Sequence, residues 1–168
     1  MLDDLLTALQ QSPFANWVQQ SAYPIVITFH SIGLAMLVGL LMLIDLRVLG
    51  FVKTVPLPAL NRFMAIVWIG FWANAVSGVM LFSIDAKKDF YSALFRTKLS
   101  VIAIGLLLGS ILENKVLTPR HWTAAGSAGE TTSAAKVIAS ISLLCWIGAI
   151  VSGRLLAYLT FGDVGVDE

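Results

Sequence analysis

PIVITFHSIGLAMLVGLLMLI, residues 24–44, decides the fold. Its 21 residues contain no Asp, Glu, Lys or Arg. As a helix the run rises about 31 Å, enough to cross the roughly 30 Å hydrocarbon core of a bilayer. Within it lies one ionisable ring, His30. A polar side chain in such a segment costs free energy unless it has a partner, so it marks a candidate functional site.

Three further apolar runs occur, and composition supports the same environment for all four. Hydrophobic residues make up 58% of the 168, and charged residues only 12%. Soluble domains carry about 25% charge, so a water-exposed coat cannot be built here. The spans are read at about 23–44, 63–84, 97–112 and 137–161. Open sheets cannot cross lipid, and none of the runs alternates as a barrel strand does, so the spans are helices. The expected fold is an all-α integral membrane four-helix bundle, a single transmembrane domain over 1–168. Leu2, Leu5, Leu6 and Leu9 recur at helical spacing, so residues 2–20 read as an amphipathic segment lying on the membrane. Residues 1–23 hold no Lys or Arg and carry Asp3 and Asp4, the reverse of a signal peptide's basic start, so the first span reads as a retained anchor. The 85–95 and 53–59 connections read as short loops, and 115–133 as the one long loop.

Four spans put both termini on one side, called here the terminal side. The opposite side holds Arg47, Lys53, Arg62, Lys115, Arg120 and Lys136, against Lys87, Lys88, Arg96 and Lys98 on the terminal side. This bias favours a cytoplasmic opposite side and periplasmic termini. Small-residue pairs four apart (Gly105 and Gly109, Ala35 and Gly39, Ala73 and Ser77, Gly148 and Ser152, Ala149 and Gly153) suit close helix packing and a homo-oligomer. A net charge of +1 gives no basis for nucleic-acid binding. The expected partners are membrane lipid, further copies of the chain and a membrane redox partner.

Depth places the polar residues. His30 lies roughly 9 Å inside the terminal side, Arg154 roughly 10 Å, Ser77 about 12 Å and Asn74 about 16 Å. Arg96 and Lys98 open the third span on that side. Each also has a structural reading: hydrogen bonding between helices, snorkelling, or interfacial anchoring. Asp45 and Arg47 read as a structural pair at the far end of the first span. Trp68 and Trp72 lie too deep to both be belt anchors; they pack, face lipid, or wall a flat ligand.

A metal held by His30 needs other ligands. His121 is in the long loop on the opposite side, and His30 to Ile44 alone spans roughly 21 Å, so the two cannot share an ion. The single Cys145 excludes an internal disulfide and a cysteine-rich metal site. An imidazole near cationic side chains suits haem b, whose acid groups want Arg or Lys partners. The candidate site is therefore His30 as metal ligand, with Arg154, Arg96, Lys98, Asn74, Ser77 and Trp72 around the cofactor. No mid-span lysine suits a retinal Schiff base, and there is no phosphate loop, HExxH or Ser-His-Asp set, so catalysis is not the expected role.

TFHSIGLAMLVGLLMLIDLRVLG (28–50), FMAIVWIGFWANAVSGVMLF (63–82), FRTK (95–98) and SGRLLAYL (152–159), in that order, resemble a family of bacterial four-helix membrane proteins. That family is distantly similar to copper-resistance-D and cytochrome-b561-like proteins, some of which carry haem b on histidines. The resemblance implies a bacterial inner-membrane location and picks out His30, Arg96, Lys98, Gly153 and Arg154 as site candidates. One departure stands out. Where many members have a histidine near the end of the third helix, this chain reads GSILENKV, with Glu113 and Asn114. A second haem and electron transfer across the bilayer are thereby weakened. The expected function is b-type haem binding for electron transfer or redox sensing. An oligomeric channel or small-solute pathway, and a non-catalytic accessory or assembly subunit, are the alternatives.

Overall fold

The computed structural model describes residues 1–117 and 131–162, and every regular element among them is helical. Four helical stretches are long and apolar enough to cross a membrane, so the chain is an all-α membrane protein. Arg120, His121 and Trp122 lie outside the described residues.

The chain begins with α1 (Leu2–Gln10) and α2 (Pro13–Trp17). Leu6 is the one buried residue of α1, while Leu2, Leu5 and Leu9 are exposed, as an interfacial helix requires. Ser12 starts α2 by accepting a hydrogen bond from the Ala15 amide (3.1 Å), with Pro13 in the first turn, where no amide hydrogen is needed. A π-helical turn, Val18–Ala22, then leads without a break into α3 (Tyr23–Leu49).

Gly50 ends α3. Its φ is +95°, and the Gly50 and Phe51 amides return to the Arg47 and Leu46 carbonyls. This is the Schellman stop, a conformation that favours glycine. Arg47 does not pair with Asp45: its Nε donates to the Val55 carbonyl (2.6 Å), clamping the connection to α4 (Leu57–Ile84). Residues two apart on a helix differ by about 200° in direction, so Asp45 and Arg47 face opposite ways. The 85–95 connection is not all loop: six of its residues form α5 (Ala86–Tyr91). Tyr91 donates to Asp3 Oδ1 (2.8 Å) and ties α5 to α1. Ser92 caps α6 (Ala93–Leu112), which runs into a second π turn, Glu113–Leu117. The last helix is α7 (Ser133–Gly162), and Thr131 just before it donates to the Val48 carbonyl (2.8 Å).

Helix α3 is central, packed on α4 and α7, and α6 packs on α7. Leu37, Leu41, Ile44 and Val48 of α3 meet Leu60, Met64 and Val67 of α4 and Trp146 of α7 in the main apolar core. That core fills the half away from the termini. The terminal half has a smaller cluster, Val18, Ala22 and Val26 against Met80, Leu81 and Ile84. His30, Asn74 and Ser77 lie in that same half.

Two small residues set the α3–α4 distance. A Cβ on Gly33 would lie 2.9 Å from the Asn74 amide nitrogen and from the Gly70 carbonyl oxygen. One on Gly70 would lie 2.8 Å from Met36 Cβ. The two backbones therefore touch at this crossing. Gly105 receives the Trp146 indole, at 2.9 Å from where its Cβ would be. Gly39, by contrast, has nothing within 4 Å and faces away from the bundle.

Candidate functional site

One turn above the Gly33–Gly70 crossing, three of the sequence candidates come together. Asn74, Ser77 and Gly78 succeed Gly70 at helical spacing and share the face of α4 that meets α3. Asn74 Nδ2 donates to the His30 carbonyl (2.9 Å), and His30 Nδ1 lies 3.0 Å from Ser77 Oγ. Gly78 leaves room for the ring: a Cβ there would be 3.3 Å from His30 Cε1.

Ser77 sets the tautomer. Its single hydroxyl hydrogen is directed at helix carbonyls, Ala73 at 2.6 Å and Asn74 at 3.2 Å. Toward His30 the oxygen can then only accept, so Nδ1 carries the hydrogen and donates. Nε2 keeps its lone pair. This is the arrangement of metal-binding histidines, whose second nitrogen is fixed by an outer hydrogen bond.

Lys98 lies close enough to His30 for its charge to act on the ring. Its stem runs along Gly153, with Cε 3.7 Å and Nζ 3.9 Å from the position of a Cβ there. Asp89 of α5 acts on Lys98 in turn. Burial and the Asp85 carboxylate push the Asp89 carboxyl above its ordinary value, against the opposing pull of Lys98 and Lys88. Asp89 and Lys98 thus act on one another electrostatically, and Lys98 on His30.

The other candidates lie elsewhere. Arg96 and Arg154 are exposed, facing outward from α6 and α7. Trp72 lines an outward groove of about 790 Å³ between α3 and α4, with Trp17, Phe29, Trp68 and Val76. Phe71 meets Trp68 and Trp72 edge-on, at 5.6 and 5.2 Å between centroids. Ser77 belongs to both places, lining the groove and holding His30. Among the described residues, no three His, Cys, Asp or Glu side chains gather as a metal cluster.

Gly78 and Asp89 are not among the sequence candidates. Gly78 could have been found from its spacing eight residues after Gly70. Asp89 carries no local signal, because only the fold of α5 turns it toward Lys98.

The fold and this cluster define a class, a four-span α-helical membrane protein with a polar station in its terminal half. Comparisons with protein-family models, characterised proteins and solved structures return no match.

Proposed function

We propose that this protein binds b-type haem through His30 and serves redox sensing or electron transfer in a bacterial inner membrane. The carrying observation is the Ser77 contact: its hydroxyl, 2.6 Å from the Ala73 carbonyl, meets His30 at Nδ1, which argues for Nε2 as the lone-pair donor. Lys98, beside His30, supplies a cation suited to a propionate. Haem, when bound, would supply one-electron chemistry at its iron. The described residues offer one histidine ligand at this level, which favours sensing over electron transfer. Arg96 and Arg154, being exposed, suit headgroups better than a buried propionate. The distribution of Lys and Arg supports periplasmic termini.

Haem titration of the purified apoprotein tests the proposal. A Soret band is expected for the wild type and for Arg154→Gln, and none for His30→Ala. An unchanged band in His30→Ala would remove His30 as the ligand.

A second proposal, an oligomeric channel or small-solute pathway, draws support from the electrostatic coupling of Asp89 to Lys98 and of Lys98 to His30. Liposome flux that is unaltered in Lys98→Met and His30→Ala would count against it.

A further inference from the structure

The haem proposal leaves the outward groove between α3 and α4 unused. The groove holds about 790 Å³ and is built mainly from two of the stretches that can cross a membrane. Trp68, Trp72, Val76 and Met80 line it at successive turns of α4, and Phe29 of α3 and Trp17 of α2 complete it. Phe29, Trp72 and Val76 are exposed, so the groove opens away from the bundle. It reaches from Met80, near the terminal end of α4, to Trp68, near the middle of that helix. At the rise of a helix this is about 18 Å. One leaflet of the bilayer core is about 15 Å deep.

Chemistry and width select the occupant. Apart from Ser77, the walls are aliphatic, aromatic or thioether side chains. Ser77 has little to offer a polar ligand, because its hydrogen is directed at the Ala73 carbonyl (2.6 Å) and its oxygen meets His30 Nδ1. Water in such a groove would find too few hydrogen-bond partners. A second copy of the chain is too broad. Spread over about 18 Å, the volume gives a mean width of roughly 7–8 Å, narrower than a helix with its side chains, about 10–12 Å across. An unbranched hydrocarbon chain suits both the width and the length, and gains dispersion contacts on several sides. The groove is also continuous with the interfacial segment. Trp17, at its terminal end, packs on the exposed Phe14 of α2, with 6.1 Å between ring centroids.

We propose that this groove holds one acyl chain of a phospholipid from the terminal-side leaflet, entering beside Trp17 and lying along α4 as far as Trp68. Because Ser77 lines the groove and meets His30, the chain forms the outer wall of the His30 cluster on its lipid side. Nothing in it depends on haem.

Native mass spectrometry of the full chain, stripped of lipid in detergent and then given dioleoylphosphatidylcholine, tests it. One lipid per chain should stay bound to the wild type. Dioleoylphosphatidylglycerol should be retained equally, because the groove reads the tail and not the head group. Val76→Trp places an indole midway along the groove and should cut retention by roughly tenfold. Val79→Trp makes the same change at an exposed position of α4 outside the groove and should leave retention unchanged. Wild-type protein that keeps no lipid, or equal retention by the two variants, would overturn the proposal. So would retention of phosphatidylglycerol alone, which marks a head-group site, or a dimer lost in Val76→Trp, which marks a second copy as the occupant. Should Val76→Trp fail to fold, wild-type protein in vesicles of phosphatidylcholine with a photoreactive diazirine on its acyl chain decides. Label concentrated on Phe29, Trp68 and Trp72 supports the site, and label spread evenly over these and the exposed Ile104 and Leu107 of α6 overturns it.

Discussion

Adding one methyl group at Gly70 should weaken the bundle, while the same change at Gly39 should not. The Gly70 Cβ would meet Met36 Cβ at 2.8 Å, the Leu37 amide nitrogen at 2.9 Å and the Gly33 carbonyl oxygen at 3.0 Å. Carbon atoms pack comfortably at about 3.5–4.0 Å, so α3 and α4 must part by roughly 0.7–1.2 Å. Two of the three obstacles are backbone and cannot swing aside. Overpacking of this kind costs about 1–3 kcal/mol. Alanine also favours a helix over glycine by about 0.8–1 kcal/mol. That gain is common to both sites, and Gly39 has nothing within 4 Å. The difference between Gly70→Ala and Gly39→Ala therefore isolates the clash, at about 1–3 kcal/mol. Reversible unfolding in mixed detergent–SDS micelles reads it directly. Gly39→Ala should be as stable as the wild type or more so, and Gly70→Ala less stable than Gly39→Ala. Equal stability of the two variants would refute the backbone contact at this crossing. Because Asn74 lies one turn above Gly70, parting the helices should also stretch the Asn74 bond to the His30 carbonyl.

Single contacts elsewhere give further tests. Ser77→Ala removes the acceptor for Nδ1–H, so nitrogen-15 spectra of His30 should change from one fixed tautomer to a mixture; an unchanged spectrum would refute the Ser77 assignment. Asn74→Leu removes an interhelical hydrogen bond and should cost about 0.6–2 kcal/mol in the same micelle assay, whereas no loss would show the bond to be dispensable. Asp89 should make stability pH-dependent. A carboxyl raised on folding above its ordinary 3.8 supports the fold when protonated, and that support is lost as pH rises through its folded value. Asp89→Asn should thus exceed the wild type in stability at neutral pH, with the gap closing below about pH 4; a gap that is constant with pH would contradict this. Tyr91→Phe cuts the tie to Asp3 and should speed hydrogen exchange in α1 without affecting α4.

The spans were legible because lipid leaves so few options for the backbone. Long apolar runs with charges only near their ends have to be helices. The level of the polar station was legible too, since rise per residue fixes depth: His30, Ser77 and Asn74 fall within one or two turns of each other by count and are in fact bonded. Direction around each helix was not legible. Arg154 and Gly153 are neighbours in depth, yet Gly153 faces Lys98 while Arg154 points outward. Pairing Asp45 with Arg47 failed for the same reason, and Asp45 instead faces Ser142. The π turns at Val18–Ala22 and Glu113–Leu117 rotate the chain beyond them and have no composition of their own. Helix α5 was hidden because AKKDFY is too short and polar to show an apolar period. Within one helix the glycines read as pairs four apart. Gly33 and Gly70 instead act across two helices, a relation that no single segment displays.

The most direct test of His30 as a haem ligand is the visible spectrum of the protein purified from haem-supplied cells, oxidised and then reduced with dithionite. A Soret peak, with alpha and beta bands appearing on reduction, is expected in the wild type, and its loss in His30→Ala. A flat visible spectrum from folded wild-type protein, unaltered when haem is added, would contradict it.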